Sequence, residues 1–243
     1  MPLTRWRMPG EDQMIFILIC VNAGMFILSI LLNPFATRFT LNPFSMLSPE
    51  NQSLILLGAT GTIPIDRFHR WWSLISASYL HGGLLHILFN MAALKQLAPL
   101  IFQGFGTCRF MTIYTLGGMA GFLASYLAGI PLTIGASAAL CALMGAGMVL
   151  GKRIGGYFGK TIFRQISIWA ISIFAFGLLV PGINNWGHAG GLLGGIFLAS
   201  VLGHRARVPD NPVIVLMGWL CIIATSVILI YAAVTGVIFR VAG

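Results

Sequence analysis

Charged side chains are scarce in this sequence, and their scarcity limits the class of protein. Only 8% of the 243 residues are charged, whereas 58% are hydrophobic. An ordinary soluble domain carries about 25% charged residues. So few charges cannot cover a water-facing surface, and most of the surface must therefore contact lipid. The composition predicts an all-α polytopic membrane helix bundle in the lipid bilayer, without a separate soluble domain.

Acidic residues are the rarest charged type, with five in the whole chain. An intramembrane aspartyl protease needs two buried aspartates, and a proton relay or an HExxH metalloprotease needs a buried carboxylate. All five acids lie outside the predicted membrane spans, which argues against these three classes. They are Glu11, Asp12, Glu50, Asp66 and Asp210.

Cysteine is also sparse, and its four copies are scattered singly without a CxxC motif. This spacing predicts neither a disulfide framework nor a metal site. Small apolar side chains packed between helices are the simpler interpretation. We therefore expect no metal and no other cofactor. The four are Cys20, Cys108, Cys141 and Cys221.

Long apolar runs predict seven membrane helices. The predicted spans are 15–32, 80–100, 110–130, 137–150, 166–180, 187–202 and 213–239, of which the fourth and fifth are short for complete spans. The first residues are polar and lack the apolar core and cleavage site of a signal peptide. We expect a cytoplasmic tail at 1–14, a six-helix domain at 15–204 with a long membrane-associated first loop at 33–72, and a linker with a seventh helix at 205–243.

The net charge of +9 is explained by membrane topology. Positive residues favour the cytoplasmic side of a membrane protein. With the N-terminus inside, Arg38, Arg67, Arg70 and Arg240 fall outside, and the other ten of the fourteen Lys and Arg fall inside. No nucleic-acid partner is needed, and the even-numbered helices begin at the outer face of the cell membrane. The ten inner positions are Arg5, Arg7, Lys95, Arg109, Lys152, Arg153, Lys160, Arg164, Arg205 and Arg207.

Polar side chains lie near the outer ends of the second and fourth predicted helices. The second carries the segment HGGLLHILFN, with His81, His86 and Asn90. His86 and Asn90 are four residues apart and therefore share one helical face. The fourth helix begins at Ser137, and the preceding Gly135 lets the loop bend toward the polar residues. We expect each of these residues to have a structural or chemical role, because placing a polar group inside a bilayer is energetically unfavourable.

The sixth predicted helix carries His188 near its outer end. Gly191 and Gly195 follow on successive turns and form a small-residue stripe that favours close contact with another helix. Such a stripe predicts that the helix bearing His188 packs tightly against a neighbour.

Ser137 and His188 are predicted to lie at similar depth. Ser137 precedes Lys152 by fifteen residues, and His188 precedes Arg205 by seventeen. At 1.5 Å per residue these separations are about 22 and 25 Å. Both residues should therefore lie below the outer surface of the membrane and well above its midplane.

A serine and a histidine at equal depth form a candidate nucleophile and base. Attack on an amide also requires donors for the oxyanion, and His86, Asn90 and the Ser137 backbone N–H are the candidates. Without a buried acid, the catalytic unit would be a dyad. The alternative is that these residues are only interhelical hydrogen-bond partners. The residues alone leave both interpretations open.

The three motifs, in this order and spacing, resemble those of the rhomboid intramembrane serine proteases over the six helices up to about residue 202. The family pattern combines His-x-x-x-x-His-x-x-x-Asn, Gly-x-Ser and His-x-x-Gly-x-x-x-Gly. The resemblance implies Ser137 as nucleophile, His188 as general base, and His86, Asn90 and the Ser137 N–H at the oxyanion. It also implies transmembrane protein substrates, cleaved near the outer face after small side chains. The seventh helix resembles that of a six-plus-one subgroup, and the loops 33–72 and 181–186 resemble an embedded loop and an active-site cap.

Four features depart from the family pattern. Two concern the orientation of His188 and the substrate pocket, and two concern the stability of loops. They are Ala138 in place of a frequent glycine, Cys141 in place of a frequent aromatic ring on the histidine, Trp72-Ser73 in place of a Trp-Arg pair, with Arg70 nearby as a substitute, and Phe102 and Gly104 in place of a Glu-x-Arg pair.

Two other functions compete with proteolysis. An inactive rhomboid relative would bind membrane-protein clients without cutting them, but such relatives usually lose the serine or the histidine, and this chain keeps Ser137 and His188. A transporter or channel would show an inverted repeat or a buried acid for coupling, and the sequence has neither. The sequence does not predict the oligomeric state.

Overall fold

The computed structural model describes residues 9–38, 40, 45–180, 182–204 and 210–242, which form an all-α fold. Five of its helices are long and apolar enough to cross a membrane. The predicted polytopic membrane bundle is thereby confirmed. The helices are α1 (Glu11–Leu31), α2 (Asn51–Leu56), α3 (Ser73–Ser76), α4 (Leu84–Leu127), α5 (Ser137–Ile154), α6 (Gly156–Leu179), α7 (Asn185–Leu202) and α8 (Pro212–Ala242).

Some predicted positions lie outside the described residues. These are the inner-side residues Arg5, Arg7, Arg205 and Arg207, together with Pro181 of the predicted cap loop.

The second and third predicted spans are joined without a loop, which corrects the predicted gap at 101–109. Helix α4 covers both spans, and its backbone leaves helical geometry at Gly106, where φ is 74°. The rings of Phe102 and Phe110 stack with their centroids 3.9 Å apart. Eight residues of straight helix would separate them by about 12 Å. The chain therefore reverses at Gly106, and α4 consists of two antiparallel halves.

The fifth predicted span starts too late, because α6 begins ten residues earlier, at Gly156. The apolar pattern was broken by Lys160 and Arg164, which are exposed on the helix. Long basic side chains can extend from a helix toward the membrane surface. The predicted gap between the fourth and fifth spans, 151–165, is replaced by a tight turn at Gly155 and Gly156, both with positive φ.

Helix α5 lies at the centre of the bundle. Of its residues, 67% are buried, against 17% in the most apolar stretch of α6. Helix α7 is not among the five membrane-capable helices, because polar residues and glycines in its first turns lower its mean hydropathy. It nevertheless packs against α4 and α5. The most enclosed positions are therefore on α5 and on the faces of α4 and α7 that contact it.

The first loop is hydrogen-bonded to the loop that precedes α5. Thr60 and Thr133 exchange backbone hydrogen bonds of 3.1 and 2.7 Å, and the Ile63 N–H donates to the Pro131 carbonyl at 3.1 Å. The Arg70 guanidinium donates to the Ile55 carbonyl at 2.7 Å. Residues 55–70 of the first loop therefore have a defined structure that supports the start of α5.

At the opposite end of the bundle, Arg109 connects three helices. Its side chain is fully buried and forms an ion pair with Asp210, just before α8. It also donates to the carbonyl of Leu202, at the end of α7, at 3.1 Å, and to that of Phe105, beside the α4 reversal, at 3.3 Å. One guanidinium thus stabilises the α4 reversal and the ends of α7 and α8.

We expect Arg109→Ala to destabilise the protein by about 1.5–3 kcal/mol, because it removes the ion pair with the partly exposed Asp210 and the charged hydrogen bonds to the Leu202 and Phe105 carbonyls. The measurement is thermal unfolding followed by circular dichroism in detergent. Arg164→Ala is the matched control, because Arg164 is exposed on α6. Equal melting temperatures for the two variants would contradict the role given to Arg109.

Candidate active site

Ser137 and His188 meet at the first turns of α5 and α7. Ser137 is the first residue of α5, and His188 is the fourth residue of α7. The Ser137 Oγ lies 3.0 Å from the His188 Nε2. The two residues are 51 positions apart in sequence, and His188 is 5% exposed. This geometry allows the imidazole to accept the hydroxyl proton.

Small residues let the two helices approach closely enough for this contact. A Cβ atom added at Gly191 would collide with the Ala138 carbonyl oxygen, and one added at Gly195 would collide with the Ala142 carbonyl oxygen. The predicted small-residue stripe of α7 therefore lies directly on the backbone of α5. Gly121 of α4 completes the junction, because a Cβ there would lie 2.5 Å from the Gly187 carbonyl oxygen.

The His86 ring lies over Gly135, close to Ser137. A Cβ at Gly135 would be 2.6 Å from the His86 Nε2 and 3.8 Å from the Ser137 Oγ. Gly135 also has φ of 121°, a conformation that side chains disfavour, and its N–H donates to the Ala77 carbonyl at 2.9 Å. Both the backbone conformation and the space therefore require glycine at this position.

The tautomer of His86 follows from its hydrogen bond. The Gly82 N–H donates to the His86 Nδ1 at 3.3 Å, so Nδ1 is the acceptor. In a neutral imidazole the other nitrogen then carries the proton. The His86 Nε2–H is thus a donor on the side of Gly135 and Ser137. His81 is fully buried and packs edge-on against His86, with ring centroids 5.0 Å apart.

Asn90 lies one turn further along α4. Its side chain is 6% exposed, and its Nδ2 donates to the His86 carbonyl at 3.0 Å. One of its two amide hydrogens is therefore engaged within α4. Of the predicted oxyanion donors, the structure brings His86 close to Ser137 and gives Asn90 a bond to its own helix.

Three further residues adjoin the pair and were not predicted. The Asn185 Oδ1 lies 3.3 Å from the His188 Nδ1, and the Phe174 ring contacts the His188 ring edge-on with centroids 6.2 Å apart. The Asn184 side chain accepts from the Gly187 N–H at 3.0 Å and so caps α7. The asparagines could have been found from their positions three and four residues before His188. Phe174 could not, because its contact depends on how α6 packs.

The residues that depart from the family pattern have defined partners. Cys141 is fully buried on α5, and an aromatic ring reaches His188 from Phe174 instead. Phe102 stacks on Phe110, and Gly104 gives space to Leu150. Arg70 also lies over the Phe68 and Trp72 rings, at 5.4 and 5.8 Å from their centroids. Apolar and cation–π contacts thus occupy positions where the family often has other pairs.

Within the described part of the chain, no group of three or more His, Cys, Asp or Glu is arranged to bind a metal ion.

Known proteins resemble this chain over the segment that contains the site. Residues 69–205 match the family model described as the Rhomboid domain. Rhomboid protease GluP of Bacillus subtilis is 33% identical over 156 residues, which cover 64% of this chain and 31% of GluP. In Arabidopsis thaliana, RHOMBOID-like protein 5 is 35% identical over 164 residues (65% of this chain, 52% of the relative), and the mitochondrial RHOMBOID-like protein 6 is 34% identical over 197 residues (70% and 61%). The chain thus spans about a third to three fifths of the length of these relatives.

We expect Gly191→Val to lower the melting temperature, because the new side chain would meet the Ala138 backbone and overpacking costs about 1–3 kcal/mol. The measurement is thermal unfolding in detergent. Gly24→Ala in α1 is the control, since a Cβ there meets nothing within 4 Å. A Gly191→Val variant as stable as the control would show that the α5–α7 contact is looser than described.

Proposed function

Because the chain belongs to the rhomboid family, we propose that it is an intramembrane serine endopeptidase that cleaves transmembrane protein substrates with Ser137 and His188. The family supplies the reaction class, and the observation that carries the residue assignment is the 3.0 Å separation of the Ser137 Oγ and the His188 Nε2. A serine and a histidine in hydrogen-bond contact are the arrangement that activates a hydroxyl nucleophile.

The proposed reaction proceeds in two halves. His188 takes the Ser137 proton at Nε2 while Oγ attacks the scissile carbonyl, and the protonated imidazole then gives that proton to the leaving amine. This leaves the Ser137 oxygen acylated. A water molecule, deprotonated by the same imidazole, attacks the acyl group, and the proton returns to Ser137 as the new carboxyl end is released.

The oxyanion of each half-reaction requires donors in place before charge develops. We assign the His86 Nε2–H and the Ser137 backbone N–H as the principal donors. The first is supported by the Gly82 bond to His86 Nδ1. The second is supported by the place of Ser137 in the first helical turn, where backbone N–H groups have no partner within the helix. Asn90 would contribute its second amide hydrogen.

The proposed active site opens to the outer side of the cell membrane, with the N-terminus in the cytoplasm. Ser137 and His188 lie at the first turns of their helices, and basic residues lie at the other ends. Arg153 donates to the carbonyls of Ala199 and Ser200 at 3.1 and 2.8 Å, beside the end of α7. Because positive residues favour the cytoplasmic side, the opposite end of the bundle faces outward.

Substrate helices are proposed to approach between the first half of α4 and α6. Helix α6 is little enclosed by the rest of the bundle. A groove of about 190 Å³ separates it from α4, lined by Leu97, Leu100, Ile162, Ile166 and Trp169 among others. This groove lies toward the end of the helices opposite to Ser137. For a substrate to reach Ser137 from the groove, α6 or the adjoining loops would need to move.

The proposal predicts that a fluorophosphonate probe labels the purified protein in detergent. We expect Ser137→Ala to abolish labelling because the nucleophile is absent, and His188→Ala to abolish it because the hydroxyl loses its base. Labelling is read by fluorescence after gel electrophoresis. Ser200→Ala is the matched control, since Ser200 is exposed on α7 and its hydroxyl donates to the Ile196 carbonyl of the same helix. A folded wild type that is never labelled would instead support a relative that binds membrane-protein clients without cutting them.

Loss of His86 and loss of Asn90 should slow fluorophosphonate labelling to different extents. We expect His86→Ala to slow fluorophosphonate labelling by about 10²- to 10³-fold, the range for loss of one oxyanion donor. Asn90→Ala should slow it less, because the Asn90 amide already bonds the His86 carbonyl. The measurement is the second-order rate constant for labelling of each folded variant. A greater loss in Asn90→Ala than in His86→Ala would reverse the assignment.

A further inference from the structure

Asn185 lies between the candidate base and α6. Its Oδ1 is 3.3 Å from the His188 Nδ1, and its Nδ2 donates to the Phe174 carbonyl of α6 at 3.2 Å. It is three residues before His188, in the first turn of α7. Residues at this spacing are neighbours on a helix surface. A single side chain therefore contacts both the imidazole and the neighbouring helix.

The donor and acceptor roles in this chain of contacts are determined at both ends. The Phe174 carbonyl can only accept, so the Asn185 NH₂ must face it and the Asn185 Oδ1 must face His188. The His188 Nε2 must be free of hydrogen to accept from the Ser137 hydroxyl, so the proton of the neutral ring is on Nδ1. Nδ1–H then donates to the Asn185 Oδ1. Each donor in this chain of contacts thus faces an acceptor, from the Ser137 hydroxyl through His188 and Asn185 to the Phe174 carbonyl.

The place of Asn185 against α6 is also tightly limited. A Cβ at Gly177 would collide with the Asn185 side-chain oxygen. Helix α6 packs mainly against α5 and contacts α7 at few residues. The Asn185 amide, between Phe174 and Gly177, is thus a principal connection of α6 to the helix that carries His188.

We propose that Asn185 is a positioning residue, which maintains His188 as the Nδ1–H tautomer and couples its orientation to α6. The inference rests on the proposed function and deepens it. When His188 accepts the Ser137 proton, the Nδ1–H remains bonded to the Asn185 Oδ1, and the imidazolium is stabilised. The catalytic unit remains the dyad of Ser137 and His188, and Asn185 positions its base.

Asn184 provides a structural comparison on the preceding residue. Its Nδ2 donates to the Ser125 and Thr133 hydroxyls at 2.7 and 3.0 Å, and its Oδ1 caps α7. It supports the same helix start without a bond to the imidazole. Loss of Asn184 should therefore lower stability without changing how labelling depends on pH.

The test is the pH dependence of the fluorophosphonate labelling rate for the full chain in detergent. We expect Asn185→Ala to slow labelling about three- to tenfold, the factor corresponding to one neutral hydrogen bond. Loss of the acceptor disfavours the imidazolium, so the acid limb of the profile should move to lower pH. Gly177→Ala should reproduce both changes from the other helix by displacing the Asn185 side chain.

Asn185→Asp should shift the acid limb of the pH profile in the opposite direction. A carboxylate beside the Nδ1–H favours the imidazolium, so the acid limb should move to higher pH by about one unit or more. Among the described residues, His86 on α4 is the titratable group whose charge also acts on His188, and all variants retain it. A purely structural role for Asn185 would not produce opposite shifts with alanine and aspartate.

The outcomes separate the two levels of inference. A wild type that is not labelled overturns the proposed function and this inference together. A labelled wild type with the same rate and acid limb in folded Asn185→Ala overturns the positioning role alone. The same pH shift in Asn184→Ala as in Asn185→Ala would also overturn it. If Asn185→Ala fails to fold, Gly177→Ala and Asn185→Asp still decide between these outcomes.

Discussion

The structure depends on the close contact between the backbones of α5 and α7. Ser137 and His188 can hydrogen-bond only because Gly191 and Gly195 allow α7 to pack against the Ala138 and Ala142 carbonyls of α5. Membrane helices gain little from apolar burial against each other, since lipid is as apolar as their side chains. Close backbone packing therefore supplies the association. The residues that stabilise the bundle here are the same residues that set the separation of the two reactive groups.

The polar groups around Ser137 bond to one another, apart from the ring nitrogens of the buried His81. His188 contacts Ser137 and Asn185, Asn185 donates to the Phe174 carbonyl, and His86 accepts from the Gly82 N–H. Unpaired polar groups would cost several kcal/mol in hydrocarbon surroundings. Each bond also determines where a proton lies on an imidazole. The requirement of the membrane and the requirement of the proposed chemistry are thus met by the same hydrogen bonds.

Sequence reasoning predicted the features that depend on spacing along one helix. The membrane class follows from the apolar runs. The contact of Ser137 with His188 is expected from a fixed rise per residue along each helix, and the two side chains lie 3.0 Å apart. Sequence reasoning failed where long-range packing decides. The reversal of α4 at Gly106 needs no polar loop, and α6 continues through Lys160 and Arg164. The contact of Phe174 with His188 depends on the position of α6, which no pattern within α6 reveals.

The departures from the family pattern separate contacts that different residues can make from positions where only one residue type fits. An aromatic ring at the imidazole can come from α6, at Phe174, while Cys141 fills the smaller space on α5. At the α4 reversal, Phe102 stacks on Phe110, so an apolar contact joins the two halves of the helix. Gly135 has no such freedom: its positive φ and the His86 ring above it exclude any side chain. Substitution is therefore tolerated where a contact can be made from another helix, and not where backbone conformation and space both limit the residue.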